Sequence, residues 1–135
     1  MLDESLSDTR RSVALFLDEL AHNESMLGRD WSVEQLAASC GLGVTQFVHY
    51  CRQLKNLTPA RFLNYCRLNA AARLLAKRPD SSITEIAFRY GFSSSQYFAT
   101  RFQAQFGVSP SGYHGHIGQQ ALQPSTPTSR RRVQF

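Results

Sequence analysis

A chain of 135 residues that is 42% hydrophobic is short enough for one domain, or two very small ones, and apolar enough for a core. It has no run of about 18 apolar residues and no apolar segment near its acidic N-terminus, which argues against a transmembrane helix and a signal peptide and favours the cytoplasm. The net charge of +5 is uneven, with −4 in residues 1–31, +6 in residues 32–113 and +3 in residues 114–135. A basic region of this kind is typical of a nucleic-acid binder, although many other domains are equally basic.

The sequence shows no arrangement typical of a metal site or an active site. Cys40, Cys51 and Cys66 form no C-x-x-C pair, and no pair of histidines lies near them at zinc spacing. Each cysteine falls within a predicted helix, so we expect reduced thiols that are buried or half-buried. The four histidines are scattered, and no paired carboxylates or Ser-His-Asp set can be placed. We therefore predict no cofactor and no enzyme.

The first 30 residues are predicted to hold one amphipathic helix. Residues 1–7 are expected to fray, and the helix is expected from about residue 8 to residue 24. Its apolar face has the spacing i, i+3, i+4, i+7 and consists of Val13, Phe16, Leu17 and Leu20.

A helix, a glycine turn and a second helix follow. Ser32 and Gln35 have the capping-box spacing at the start of the first helix, and Gly41 permits a tight turn after it. The second helix is predicted over residues 44–55, with Asn56 at its left-handed C-cap. Its inward face consists of Phe47, Tyr50, Cys51 and Leu54. This order is that of a helix-turn-helix, although one copy alone is equally compatible with a plain helical hairpin in a bundle.

A long helix is predicted next. Thr58 is an N-cap and Pro59 occupies the first helical position, and the helix that they start runs to about Ala76. About 18 residues span ~27 Å at 1.5 Å per residue. With its flanking turns, this length suits two recognition helices set about 34 Å apart, one turn of DNA.

Residues 82–113 repeat the pattern of residues 32–62. At an offset of 50, the serine cap, a small alanine and the turn glycine coincide, with Ser32 on Ser82, Ala37 on Ala87 and Gly41 on Gly91. After one extra residue the offset is 51, and the register continues with Phe47 on Phe98, Thr58 on Ser109 and Pro59 on Pro110. Apolar positions, turns and caps all repeat, which indicates a duplicated unit and favours a helix-turn-helix in both places.

The second helix of each copy carries short polar or small side chains on its outward face, not the Glu and Lys mixture of a solvated surface. In a helix-turn-helix this face meets base edges, and Gln, Thr, Ser and small apolar groups all suit that role. The predicted base-contacting residues are Thr45, Gln46, Val48 and His49 in the first copy and Ser95, Gln96, Ala99 and Thr100 in the second. Phosphate contacts are expected from Arg52, Arg61, Arg67, Arg101 and Gln103. The alternative is an inert solvated surface.

With these residues assembled, the chain closely resembles the DNA-binding domain of the AraC/XylS family of bacterial transcription regulators. The motifs that carry the resemblance are I-x-E-I-A-x-x-x-G-F-S-S at 83–94, Y-F-x-x-x-F at 97–102, F-G-x-S-P-x-x-Y at 106–113 and T-P-x-x-F-L at 58–63. The resemblance implies an all-α fold of about seven helices, in which a long helix joins two helix-turn-helix subdomains that bind double-stranded promoter DNA. The base-reading positions that it implies are the same outward faces.

The chain departs from the family pattern at four positions. His49 and Thr100 stand where the family often has Arg, which affects the DNA sequence that is bound. Gly43 stands where a Ser cap is usual and Asn56 where Gly is usual, which affects stability alone, by a few tenths of a kcal/mol at an N-cap.

The predicted organisation has five segments. They are an N-terminal segment with the first helix (1–30), the first helix-turn-helix (31–57), the linker helix (58–78), the second helix-turn-helix (79–113) and a disordered tail (114–135). Most members of the family carry a further sensor or dimerisation domain, so we expect this chain to be the C-terminal piece of a longer protein, with a stand-alone regulator as the alternative. The domain itself is expected to be monomeric.

The favoured function is sequence-specific DNA binding in transcription regulation, with promoter DNA as partner, RNA polymerase as a further candidate and no membrane partner. A protein-interaction module that reads no bases is the alternative. An enzyme related to the DNA-repair alkyltransferases is disfavoured, because the chain lacks their reactive zinc-bound cysteine cluster.

Overall fold

A computed structural model describes residues 2–113, with side chains from residue 8 onward. The described residues form helices without strands, and a last helical turn occupies residues 110–113. The helices are α1 (Leu2–His22), α2 (Glu24–Leu27), α3 (Val33–Ser39), α4 (Val44–Lys55), α5 (Pro59–Lys77), α6 (Ile83–Arg89) and α7 (Ser95–Phe106). This confirms the predicted all-α fold with two helix-turn-helix motifs and a long helix between them. The prediction of a disordered tail at 114–135 lies outside the described residues.

The N-terminal helix differs from the prediction at both ends. α1 begins at Leu2, earlier than expected, and it ends at His22, where the sequence suggested that the helix would continue. Asn23 interrupts it with an extended backbone, φ −110°, and its side-chain oxygen accepts a hydrogen bond from the Met26 amide at 3.2 Å. An Asn side chain that bonds to nearby backbone competes with the helix ladder, so the chain restarts as the short helix α2.

The two copies, residues 32–62 and residues 82–113, share one backbone geometry. In the first copy, the Leu42 amide donates to the Ala37 carbonyl at 3.0 Å, and Gly41 has a φ of +72°. In the second copy, the equivalent bond runs from the Phe92 amide to the Ala87 carbonyl, also at 3.0 Å, and Gly91 has a φ of +87°. A positive φ is permissive for glycine and costly for residues with a Cβ, which explains the glycine at both turns.

Helix lengths and caps repeat as well. α3 and α6 each have 7 residues, and α4 and α7 each have 12. Both second helices end in a left-handed residue, Asn56 in the first copy and Gly107 in the second. The predicted capping box at Ser32 and Gln35 is complete, with reciprocal bonds of 2.9 and 3.1 Å. The structure thus supports the duplication inferred from the sequence.

The chain divides within α5, between Arg67 and Leu68, into two compact units. In the first unit, α1 packs against α4, and the Phe16 ring meets the Phe47 ring edge-on at 6.4 Å between centroids. The buried residues of α1 in this unit are aliphatic, and they are Val13, Leu17 and Leu20.

The second unit has an aromatic core. The Phe102 ring lies 5.6 Å from Phe98, 4.5 Å from Phe106 and 5.5 Å from Tyr113, measured between ring centroids. Offset and edge-on aromatic pairs at these distances add to the free energy gained from burial alone.

The three cysteines form no disulfide and lie at the expected depths. Cys51 and Cys66 are buried, and Cys40 is half-buried. Cys40 occupies the C-cap of α3 and lies just beyond the helix in which it was predicted. Between residues 2 and 113, no helix combines the length and the apolar character needed to span a membrane.

Candidate nucleic-acid interface

The outward face of α4 is presented as the periodicity predicts. Phe47, Tyr50 and Cys51 are buried on the inner side, and the aromatic core contact with α1 fixes the rotation of the helix. On the other side, Thr45, Gln46, His49 and Arg52 are exposed, and Val48 is half-buried. This face combines hydrogen-bonding groups with a cation, which suits contact with base edges and phosphates.

α7 presents the equivalent face of the second copy. Phe98 and Phe102 are buried, whereas Gln96, Thr100 and Gln103 are exposed. Ser95 and Ala99 are half-buried. The Thr100 hydroxyl donates to the Gln96 carbonyl at 3.1 Å, so its proton is already bonded within the helix. All predicted base-contacting residues of this copy therefore lie on one side of α7, as those of the first copy do on α4.

The N-termini of the two outward helices differ. Ser94 caps α7, because its hydroxyl accepts a hydrogen bond from the Tyr97 amide at 3.0 Å. Gly43 occupies the same position ahead of α4 and provides no side-chain cap. The departure from the serine pattern that the sequence showed at Gly43 thus removes one local bond in the first copy.

Tyr97 was missed by the sequence prediction. It is 46% exposed and lies at an offset of 51 from Gln46, a predicted base-contacting residue. Its ring centroid lies 6.1 Å from that of Phe92, which anchors one edge of the ring near the turn. The repeat register already contained this signal, because the second-copy positions at an offset of 51 from the other predicted residues of α4 were all included.

Four of the five predicted phosphate-contacting residues remain available to DNA to different degrees. Arg52, Arg61 and Gln103 are exposed. Arg101 is half-buried, and its Nε is buried without a hydrogen-bond partner in the part of the chain that the structure describes. The terminal nitrogens of Arg101 are therefore the part of this side chain suited to reach an anion.

Arg67 corrects the prediction. It is only 9% exposed, and its guanidinium donates from Nε to the Leu27 carbonyl at 2.8 Å and from Nη2 to the Arg29 carbonyl at 2.6 Å. Burial lowers the pKa of Arg67, and the nearby Asp30 carboxylate partly offsets that effect. The side chain therefore satisfies backbone carbonyls at the end of α2 and just after it, and it is not placed to bind a phosphate. A signal was present, since Arg67 falls at i+4 from the apolar Leu63.

The segment after α2 has further bonds that hold it in place. The Trp31 indole donates to the Met26 carbonyl at 2.7 Å, and the Arg29 guanidinium carbon lies 4.6 Å from the Trp31 ring centroid. These contacts, together with those of Arg67, fix the approach of the chain to α3. They position the first helix-turn-helix without facing its outward surface.

Lys55 ties the end of α4 to its surroundings. Its ammonium lies 3.4 Å from an Asp18 carboxylate oxygen on α1 and 5.6 Å from the Phe62 ring centroid at the start of α5. The pair is partly exposed, so its contribution to stability is small. The contacts of Lys55 instead restrain the orientation of the last turn of α4, which also carries Arg52.

The alternatives among the described residues are a metal site and a reactive cysteine, and neither Cys40 nor Cys51 is activated. Among residues 8–113, no group of three or more His, Cys, Asp or Glu side chains is placed to hold a metal ion. Burial raises the pKa of the Cys51 thiol to about 11, and the charge of Lys55 offsets only part of this rise. Burial also raises the pKa of the Cys40 thiol. A nucleophilic cysteine needs the opposite shift.

Comparison with known proteins places this geometry in context. A family model described as a helix-turn-helix domain matches residues 24–115. The transcriptional regulator MtrA of Neisseria gonorrhoeae is 33% identical over 90 residues, which cover 67% of this chain and 30% of MtrA. The transcriptional activator RhaS of Escherichia coli strain SE11 is 33% identical over 109 residues, covering 81% of this chain and 38% of RhaS. The chain thus spans about a third of the length of these relatives.

Solved structures share the fold. The DNA-binding domain of the global transcriptional factor AdpA, solved with a target DNA, superposes with a TM-score of 0.68 at 32% identity, covering 82% of this chain and 97% of that one. An AraC-type transcriptional regulator from Chromobacterium violaceum has a TM-score of 0.69 at 23% identity over 87% of this chain and 97% of its own. The named relatives are transcription regulators, not enzymes, and the AdpA structure is the DNA-binding domain of one.

Proposed function

The chain belongs to the AraC-type helix-turn-helix family of DNA-binding transcription regulators, and from this premise we propose that it binds promoter DNA sequence-specifically by inserting α4 and α7 into successive major grooves. The observation that carries the proposal is the duplication of one outward face. The same turn geometry presents equivalent positions of two helices, and both faces carry base-reading side chain types.

The length of the joining helix supports two-groove binding. α5 has 19 residues and spans ~28 Å at 1.5 Å per residue. Together with the turns at its ends, a helix of this length is compatible with recognition helices about 34 Å apart, the spacing of successive major grooves on one side of DNA. Two unlike copies in one chain suit a site without two-fold symmetry.

The side chains divide by role. Base contacts are proposed for Thr45, Gln46, Val48, His49, Ser95, Gln96, Ala99 and Thr100, with Tyr97 added at the edge of the second face. Phosphate contacts are proposed for Arg52, Arg61, Arg101 and Gln103, with Arg67 excluded by its burial. Phosphate contacts supply affinity and register, whereas base contacts supply sequence discrimination.

The proposed partner is double-stranded promoter DNA, bound by this domain as a monomer at the bacterial nucleoid. RhaS is a transcriptional activator by name. By analogy we propose that RNA polymerase is a second partner of this protein once it is bound to DNA. Any dimerisation is assigned to regions outside the helix-turn-helix units.

Selection from random DNA followed by gel-shift titration tests the proposal. The selected duplex is expected to bind about 10³-fold or more tightly than a scrambled duplex at the same salt concentration. Affinity for both is expected to fall steeply with salt, because phosphate contacts release counterions. Equal affinities for selected and scrambled DNA would exclude sequence-specific binding.

Alanine variants then separate the two faces. His49→Ala is expected to cost about 1–3 kcal/mol of specific binding and to cost more than Gln96→Ala, because α4 combines base-reading groups with Arg52. Gln53→Ala, an exposed residue in the last turn of α4 with no assigned contact, is the matched control. A larger loss of specificity in Gln96→Ala would reverse the proposed ranking, and no loss in either would favour a module that reads no bases.

A further inference from the structure

We infer that the half of the DNA site contacted by α7 consists of A·T base pairs that are read largely through thymine methyl groups. The inference rests on the proposed function and deepens it, because it assigns a base composition to one half-site. The supporting observation is the set of side-chain groups that α7 presents on its outward face.

The outward face of α7 lacks a group suited to guanine. Arg and Lys are the side chains that pair best with guanine O6 and N7. Among the 12 residues of α7, all of them described, Arg101 is the one cation. It is half-buried with a buried Nε, and the proposed function assigns its terminal nitrogens to phosphate. A G·C pair opposite this face would therefore meet no cationic donor.

Thr100 offers a methyl group in place of a donor. Its hydroxyl proton is donated to the Gln96 carbonyl at 3.1 Å within the helix. The groups that remain for DNA are the Cγ2 methyl and the lone pairs of the oxygen. Ala99, the preceding residue, adds a second methyl group on the same side and is half-buried. Two neighbouring methyl groups suit the C5-methyl of thymine, the one apolar group in the major groove code.

Gln96 complements these methyl groups. It is exposed one turn before Thr100, and a glutamine amide pairs with adenine N6 and N7 through two hydrogen bonds. One face thus recognises adenine through an amide and thymine through methyl groups. Such a face selects A·T pairs in either orientation at neighbouring base steps. The N-terminal residues of a recognition helix approach the bases most closely, and Gln96 and Ala99 lie in the first turns of α7.

The first copy lacks this restriction. Arg52 is exposed on the outward face of α4, and His49 is exposed with a ring N–H that is able to donate. Such groups accept G·C pairs as well as A·T pairs. The A·T requirement is therefore assigned to one half of the site alone.

The test starts from the selected DNA site and the full chain. The half-site that α7 contacts is identified as the one whose base preference relaxes in Gln96→Ala, and the inference expects this half to be A·T. Replacing its thymines with deoxyuridine removes the methyl groups and keeps the hydrogen bonds. Each methyl removed is expected to weaken binding roughly 4-fold, and the same replacement in the other half is expected to have a smaller effect.

A variant links the effect to the helix. In Ala99→Gly, the ratio of affinities for thymine DNA and deoxyuridine DNA is expected to shrink, because the protein methyl is gone. Ala104→Gly, an exposed alanine later in α7, controls for the helix propensity lost with glycine and is expected to leave the ratio unchanged.

The outcomes distinguish this inference from the proposed function. G·C pairs in the half-site that responds to Gln96→Ala, or no effect of deoxyuridine there, overturn the inference while specific binding stands. Failure to select any DNA sequence overturns both.

Discussion

The two copies have the same backbone geometry but differ in the side chains that form their cores. Phe102 in the second copy is surrounded by the rings of Phe98, Phe106 and Tyr113, whereas the equivalent position in the first copy is Cys51. The first copy has α1 packed against α4, so a small side chain suffices at Cys51. Turns and caps therefore fix the helix-turn-helix geometry, and the core adapts to whatever else packs against it.

The largest test of this comparison is truncation at the equivalent core positions. Phe102→Ala is expected to lower the free energy of unfolding by about 3–5 kcal/mol, since it empties the centre of the aromatic core. Cys51→Ala is expected to cost about 1 kcal/mol, because it removes a single buried sulfur. Chemical denaturation of both variants provides the measurement. Similar costs at the two positions would show that the cores are organised alike.

The second test compares two arginines of α5. Arg67→Ala is expected to lower stability by about 2–4 kcal/mol, because the Leu27 and Arg29 carbonyls lose their charged donor. Arg67→Lys is expected to rescue little, since an ammonium cannot reproduce the fork of a guanidinium. Denaturation curves report these stability changes.

Arg61→Ala is the matched control for a phosphate role. Arg61 is exposed on the same helix, and its loss is expected to leave stability nearly unchanged and to reduce the salt slope of DNA binding by about 1. The same measurement on folded Arg67→Ala, below its melting temperature, checks the correction. A reduced salt slope of DNA binding in this variant would show that Arg67 contacts a phosphate after all.

The third test measures stability at alkaline pH, which we expect to depend on the Cys51 thiol of the first copy. Burial raises the pKa of this thiol from 9.0 to about 11 in the folded state, so the unfolded chain ionises first. The stabilising contribution is complete below pH 9 and is lost as the pH rises towards 11, by up to about 2 kcal/mol.

Cys51→Ala isolates that contribution. Burial also raises the pKa values of Cys40 and Tyr113, so wild type and variant are both expected to lose stability at high pH, with a steeper loss in wild type. Denaturant titrations from pH 8 to pH 10.5 measure the two slopes. Parallel curves would mean that Cys51 does not stay protonated in the folded protein.

The smallest test exchanges the caps. Ser94→Gly is expected to destabilise the protein by a few tenths of a kcal/mol, through loss of the bond to the Tyr97 amide. Gly43→Ser is expected to stabilise it by a similar amount, because Gly43 has a negative φ of −78° and open space around the position of a Cβ. Shifts in melting temperature of opposite sign are expected. Shifts of the same sign would imply that the two N-termini are not equivalent.

Local signals made most of the fold predictable. The bounds of α4 follow from Gly43 before it and Asn56 after it, and the predicted range of residues 44–55 is confirmed. The outward position of the proposed interface was also predictable, because the apolar period of two helices determines it. The assignment of its residues to bases and phosphates stays a prediction.

Two features depended on tertiary structure. The Asn23 side chain breaks an otherwise regular apolar pattern through a bond that competes with the helix, and periodicity does not report such bonds. Arg67 bonds to carbonyls 38 and 40 residues away, and charge alone suggested an exposed residue. A buried arginine becomes predictable only when its helical face is compared with its apolar neighbours.

The division between Arg67 and Leu68 has a consequence for folding cooperativity. It leaves about half of the 19 residues of α5 in each unit. An isolated helix shorter than about 12–15 residues is marginal in water, because nucleation costs more than so few hydrogen bonds return. Neither unit therefore holds a self-sufficient portion of α5, and melting of either one exposes a helix end in the other. We therefore expect thermal unfolding to show a single transition, in which both halves of α5 melt together.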